Sequence, residues 1–521
     1  MKISKILCVV LSVSMLGLTG CGKKGGIGTY KDANENFSYP VKTDVTLKYW
    51  CIDYNDGKIN PDETPNAKYI CERTGIKIET IPVSQSVAAE QFNLMLASGN
   101  IPDIVYYNWD SVPGGTQAAV KAGQILNLNE IIDKYMPNLK AKFSENPEWE
   151  KMAKNDEGDF CFVPAYRGDA QLLTYIGPIV RNDWLKDLGM DVPETLDDWE
   201  VMLKRFRDEK GAKSPFICNP SFLTMFMGGA YPVSMAGYSD DCYVKDGKIV
   251  YGCIQPEYKE ALKVLARWYK EGLIDNNIAS VDTETINSKM TSGKSGASIS
   301  LTGGGMGKWL LNGRATYDKY DLIGVKYPVV NKNDVPKFGQ MDNPMMTSVS
   351  TISANSKNPA LAARYLDYFF SDEGINTVNY GKEGEAYDLV DGNKIFKKEL
   401  IQNNTISEYA CYAGGRGIQQ WDAYKQSLAY ENQVQAIENW KTADTKKYLI
   451  PSISLTTEES SEISKLVSDI KVYQSEMFYK FLFGTEDIET GFDKYVSQIE
   501  SMGIDRVIKC KQAAYDRYNN R

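Results

Sequence analysis

The 521-residue chain contains no histidine. That absence excludes Ser-His-Asp and Cys-His catalytic arrangements, His-ligated zinc and every histidine general base. Paired-carboxylate chemistry stays open, because Asp and Glu together number 68. The ten cysteines show no CxxC or other metal-like spacing. No internal repeat is visible, and no basic patch that would mark a nucleic-acid footprint. Beyond the first twenty residues, no apolar run reaches the roughly 20 residues that a membrane-spanning helix needs. Gly303-Gly304-Gly305 lacks the GxxxxGK[ST] pattern of a phosphate loop and reads as a turn.

What is present begins at the N-terminus. Lys2 and Lys5 form a positive start, and Ile6 to Leu18 is an apolar run too short to cross a bilayer. Residues 1–20 read as a signal peptide. Leu18-Thr19-Gly20-Cys21 resembles the lipobox of bacterial lipoproteins, in which the cysteine is acylated and becomes the new N-terminus. The resemblance implies palmitate-type lipid on Cys21, holding the protein on the extracellular face of the cell membrane. Residues 21–40 are rich in Gly, Lys, Asn and Ser without apolar periodicity, so they read as the anchor and a flexible tether. The formal charge is −9, and two lysines leave with the signal, so the mature chain carries −11. This balance serves solubility.

Cys8 leaves with the signal and Cys21 takes lipid. The other eight cysteines are scattered. Cys242 and Cys253 flank Asp246-Gly247, but a tight hairpin there pairs Cys242 with Tyr251. A disulfide between the two stays open as an alternative to small buried hydrophobes. The remaining chain, about 480 residues, exceeds the ~250–300 at which a single core stops growing, so two or more lobes are expected.

Strand-like and helix-like segments alternate. Val45 to Trp50 alternates apolar residues, Glu63 to Thr74 suits a helix closed by Gly75, and Ile76, Ile78 and Ile81 suit the next strand. Ser86 to Ser98 is a helix stopped by Gly99, followed by a strand at Ile101 to Tyr107. This order predicts an α/β layer with a largely parallel sheet. Further on, Thr195 and Asp198 make a capping-box-like start, and Pro256 opens a helix ended by Gly272. Tyr243 to Tyr251 reads as a hairpin. Asn358 and Pro359 open a helix through Phe370, and the chain is helical by pattern from about Thr456.

Several segments carry a resemblance. Residues 93–106 (NLMLASGNIPDIVY), 181–189 (RNDWLKDLG) with 192–196 (VPETL), 258–262 with 268–275 (WYKEGLID), 293–297 and 353–374 are similar to the extracellular solute-binding lipoproteins of carbohydrate ABC importers. That family includes maltose-binding protein, and residues 491–518 resemble the C-terminus of a large Gram-positive subgroup. The resemblance implies a two-lobed periplasmic-binding-protein-like α/β fold with an interlobe ligand cleft and crossing hinge strands. Lobe 1 would be residues 41–165 plus 320–379, and lobe 2 residues 166–319 plus 380–521. It implies a monomer that binds an oligosaccharide, works with importer permease subunits, needs no cofactor and catalyses nothing. Alginate-binding relatives carry an acidic calcium loop where this chain has Arg207-Asp-Glu-Lys-Gly-Ala-Lys213. The alternating carboxylates are missing, so calcium is not carried over.

Sugars offer flat C–H faces to aromatic rings and a rim of hydroxyls to polar side chains. In such a fold the ligand residues lie where strands end at the cleft. Trp50 and Asp53 follow the first strand. Tyr107, Asn108, Trp109 and Asp110 follow the third. Tyr166 and Arg167 sit near the first crossing, Trp309 follows the glycine cluster, and Tyr412, Arg416 and Trp421 lie in an irregular segment. Trp50, Trp109 and Trp309 lead this set, whereas Trp199 and Trp268, at helical spacing, read as core. Two other readings stay open: a binding protein for peptides or another small solute, and a surface-anchored glycan-active enzyme with two opposed carboxylates ~5–10 Å apart. A purely adhesive or sensory role is not separated from transport by any residue pattern.

Overall fold

The computed structural model describes residues 38–53, 57–234, 241–403, 405–410 and 415–521. The signal segment, Cys21, most of the tether and Tyr412 lie outside the described residues. In chain order the strands are β1 Thr46–Asp53, β2 Lys77–Ser84, β3 Ile104–Tyr107, β4 Ala165–Arg167, β5 Ile176–Arg181, β6 Cys242–Lys245, β7 Lys248–Tyr251, β8 Ala297–Leu301, β9 Leu322–Gly324, β10 Val349–Ile352, β11 Tyr387–Val390, β12 Asn393–Phe396 and β13 Gly417–Gln419.

Lobe 1 is built on a sheet of order β10-β3-β1-β2. β1 runs parallel to β2 and β3, and β10 closes the edge antiparallel to β3. Successive side chains of a strand point to opposite faces, so each strand feeds two cores. Leu47, Tyr49 and Ile104 enter one, with the helix Pro359–Tyr368. Trp50, Val105 and Tyr107 enter the other, with the helix Ala88–Ser98. The stops at Gly75 and Gly99 are left-handed (φ 70° and 71°), a conformation that costs glycine little.

Lobe 2 is built on a three-stranded sheet of order β8-β5-β9, antiparallel at both pairings, with β5 wholly buried. The largely parallel sheet expected from the strand–helix alternation therefore holds in lobe 1 and fails here. Thr195 and Asp198 form the expected capping box, which opens the helix Leu196–Lys210 and aims Trp199, Met202, Leu203 and Phe206 at the core. The helices Pro256–Lys270, Thr457–Leu482, Ile488–Ser501 and Ile504–Asn519 complete the lobe. Asp246 and Gly247, both at positive φ, turn β6 into β7, with Cys242 opposite Tyr251. Cys242 and Cys253 are not joined by a disulfide.

Two expected boundaries move. Tyr320, Leu322, Val325 and Tyr327 pack into the lobe 2 core because β9 pairs with β5, so the chain re-enters lobe 1 near β10 rather than at residue 320. Tyr380 to Ala423 does not join the main lobe 2 core: Tyr380, Tyr387, Phe396 and Leu400 form a small core of their own. The end of the expected tether is also docked. Tyr39 donates to the Arg364 carbonyl at 2.6 Å and meets Tyr368 edge-on.

The lobes are joined where β4 pairs in parallel with β13. A third passage runs alongside: Arg167 N–H donates to the Pro344 carbonyl at 2.8 Å and Asp342 N–H to the Leu173 carbonyl at 2.9 Å. Among the described residues, no helix is long and apolar enough to cross a membrane.

Candidate functional site

The three leading tryptophans are core residues, and the expectation that they offer ring faces to a solute is corrected. Trp50, Tyr107 and Trp109 close around Phe92. The Tyr107 ring stacks on it at 4.1 Å and Trp109 meets it edge-on at 5.0 Å. Trp109 is 1% exposed, and its indole Nε1 has no partner among the described residues. Trp309 is equally buried, and its Nε1 donates to Asn287 Oδ1 at 2.7 Å. The reason is positional: each ring lies within one residue of an apolar strand or helix face, and burial of its large surface wins. Asn108 folds back on itself, its Oδ1 accepting from Asp110 N–H at 3.1 Å. Tyr166 is fully buried, stacked 4.4 Å from Trp149 with its hydroxyl donating to the Trp149 carbonyl at 2.7 Å.

The polar candidates fare differently. Arg167 ends β4 at the crossing and stays half-buried. Its Nη2 pairs with Asp342 Oδ2 at 3.0 Å, and its guanidinium faces the Tyr175 ring at 5.6 Å. The same carboxylate accepts from Tyr175 Oη at 2.9 Å and from Gln340 Nε2 at 3.0 Å. Asp342 is thus filled by protein donors, while Arg167 Nε and Nη1 meet no partner among the described residues. A guanidinium held by a carboxylate is a preorganised fork for vicinal hydroxyls or a carboxylate.

Trp421 lies beside it. Its backbone N–H donates to Asp169 Oδ2 at 2.7 Å and its half-buried ring sits 6.0 Å from Tyr424. Burial pushes the Tyr424 phenol up, with Thr302 and the Arg167 charge pulling the other way. The glycine cluster is a wide helical turn, Thr302–Gly307, leading into the helix Lys308–Thr316, and not the simple turn expected. Gly305 needs its missing side chain because a Cβ would meet Ser300. Gly303 and Gly304 have neither a positive φ nor any atom within 4 Å of a Cβ, so their exposed backbone is open to approach.

Asp53 and Arg416 come together elsewhere. Both line a cavity of about 510 Å³ between β1, β2, the helix Pro65–Thr74 and the segment around Glu408. Arg416 lies over the Tyr49 ring at 4.7 Å and donates to Tyr365 Oη at 3.3 Å. Tyr175, Asp342 and Tyr424 escaped the sequence reading. Their signal is tertiary, since residues 175, 342 and 424 meet only once the chain has crossed between the lobes three times.

The sheet-based two-lobed frame agrees with the comparisons. The bacterial extracellular solute-binding protein family matches residues 60–375. The chain belongs to that family. As a solute-binding protein it is 24% identical, over 98% of its length and 97% of the relative, to the fructooligosaccharide ABC transporter substrate-binding protein FusA of Streptococcus pneumoniae serotype 4. It is 22% identical, over 98% of both chains, to the polygalacturonan/rhamnogalacturonan-binding protein YtcQ of Bacillus subtilis. Among solved structures, it is similar to alginate-binding protein AlgQ2 without calcium ion (TM-score 0.74, 26% identity, 91% of this chain and 99% of that one). At the calcium-loop position this solute-binding protein has Arg207 donating to the Glu271 carbonyl and Lys210 paired with Asp187, both at 2.8 Å. No group of three or more His, Cys, Asp or Glu able to hold a metal is found among the described residues.

Proposed function

We propose that this solute-binding protein is a lipid-anchored, non-catalytic carrier that captures an oligosaccharide outside the cell and hands it to the permease subunits of an ABC importer. The observation that carries the reading is Arg167, held by Asp342 at the lobe crossing. The guanidinium takes ring hydroxyls, Trp421 and Tyr424 supply ring faces, and the bare backbone at Gly303 and Gly304 lets a sugar come close. Asp53 and Arg416 extend the polar surface into lobe 1. The oligosaccharide-binding relatives support this ligand class over peptides. Cys21 carries the lipid; Cys21→Ser is expected to release the protein into the medium.

The test is a thermal-melt screen of the chain beginning after Cys21, against plant and host oligosaccharides, amino acids and peptides. A ligand that binds only the folded state contributes roughly 2.7 kcal/mol at a hundredfold excess over Kd. A shift with one glycan class names the solute. A shift with peptides alone overturns the carbohydrate reading and keeps the carrier reading.

A further inference from the structure

The lobes also meet along a second seam, formed by the C-terminal helices. The helix Ile504–Asn519 is rooted in the lobe 2 core through Ile504, Val507 and Cys510. Its far end leaves that core and lies against lobe 1, at the helix Pro147–Ala153 and the turn after it. Arg517 Nη1 and Nη2 donate to the two carboxylate oxygens of Glu459 at 2.7 and 2.6 Å, while its Nε donates to Asp156 of lobe 1. Arg521 donates to the other Asp156 oxygen through Nε at 3.1 Å and through Nη2, and to the carbonyls of Lys151 and Lys154 through Nη1. Between them, Tyr518 Oη donates to Glu148 at 2.6 Å. The side chains of Asp156 and Arg521 are only 15% and 11% exposed. Charges this far out of water interact more strongly than a surface pair, and removing one leaves its partner uncompensated.

The seam is coupled to the crossing. Trp149 of the contacted helix stacks on Tyr166 of β4. The same side of lobe 1 meets lobe 2 again where Gly114 N–H donates to Ser460 Oγ at 3.0 Å, in the first turn of the helix Thr457–Leu482. Rotation of the lobes about the crossing strands changes the separation of Asp156 from Arg517 and Arg521.

We propose that Asp156, Arg517 and Arg521 form an ionic strap between the lobes that sets solute affinity without touching the solute. They are positioning residues, and the inference rests on the carrier reading above. The strap enters the equilibrium between lobe arrangements. Apparent Kd equals the intrinsic Kd divided by the fraction in the competent arrangement, so a broken strap moves Kd with every solute contact intact.

The experiment compares the chain beginning after Cys21 with Asp156→Asn, Asp156→Glu and Arg521→Gln. Its readouts are the small-angle-scattering radius of gyration without added sugar, and Kd for the glycan found in the melt screen. Asp156→Asn is expected to alter the radius and to move Kd by about fivefold or more, and Asp156→Glu to return both toward wild type. A lowered melting temperature with radius and Kd unchanged makes Asp156 merely structural and overturns the strap. If Asp156→Asn does not fold, Arg521→Gln, which removes one of the two pairs, carries the same test. If wild type binds no solute of the panel, the carrier reading fails by itself, and an unchanged radius in the variants overturns the strap separately.

Discussion

Two aromatic regions of this protein look alike in sequence and do opposite things. Within β1 and at and just after the end of β3, Trp50, Tyr107 and Trp109 surround Phe92 and exclude water. At the crossing, Tyr175, Trp421 and Tyr424 stand beside Arg167, Asp342 and Asp169 and stay partly open. The difference lies in the neighbours. Rings among apolar strand positions bury one another, whereas the rings at the crossing share it with Arg167 and Asp342, charges that are costly to bury. An aromatic residue near a strand end is therefore a weak pointer to a sugar site.

The largest effect that tests this contrast is expected from Trp109→Ala. Truncating a fully buried indole removes about 3–5 kcal/mol of stability, read by urea unfolding, with solute affinity per folded molecule unchanged. A variant that folds as wild type does but loses its solute would break the contrast. Arg167→Ala should do the reverse. Asp342 keeps Tyr175 and Gln340, so the melting temperature holds, while binding weakens by about 2–3 kcal/mol, the worth of hydrogen bonds from a charged group, read by calorimetry. Unweakened binding would move the solute site away from the crossing.

A smaller effect concerns a charge that lobe 1 does bury. Asp367 accepts from Leu139 N–H at 2.9 Å and Asn138 Nδ2 at 2.8 Å, yet burial pushes its carboxyl up to about 6 from the ordinary 3.8. The folded state thus holds this proton more tightly than the unfolded chain. The contribution stabilises below pH 4 and is lost as the pH rises toward 6. Asp367→Asn keeps an acceptor for Leu139 and removes that dependence. It is expected to gain about 1–2 kcal/mol on wild type above pH 6 and to lose the gain toward pH 4. Urea melts across pH 4 to 7.5 check this, and a constant difference would refute it.

Local signals were legible in the sequence because they act within a turn or two. The Thr195–Asp198 box, the stops at Gly75 and Gly99, and the Asp246-Gly247 hairpin all form as the pattern predicts. So does the strand–helix order of lobe 1. What was not legible depends on distant partners. β9 is three residues long and belongs to lobe 2 only because β5 lies beside it. Arg167 could be named from its place near a crossing, but Asp342, which holds it, could not. Tyr166 was named for the cleft, one residue away, yet the alternation along β4 turns it onto Trp149.

The antiparallel partnership of β10 with β3 joins residues 349–352 to 104–107. The sheet of lobe 2, β5, β8 and β9, is strung between them. A ribosome reaches the last strand of the first sheet only after β5, β8 and β9 of lobe 2 have been made, while the second core still waits for its C-terminal helices. Pairing across so long a loop is slow. The nascent chain therefore remains without a completed first sheet for most of its synthesis.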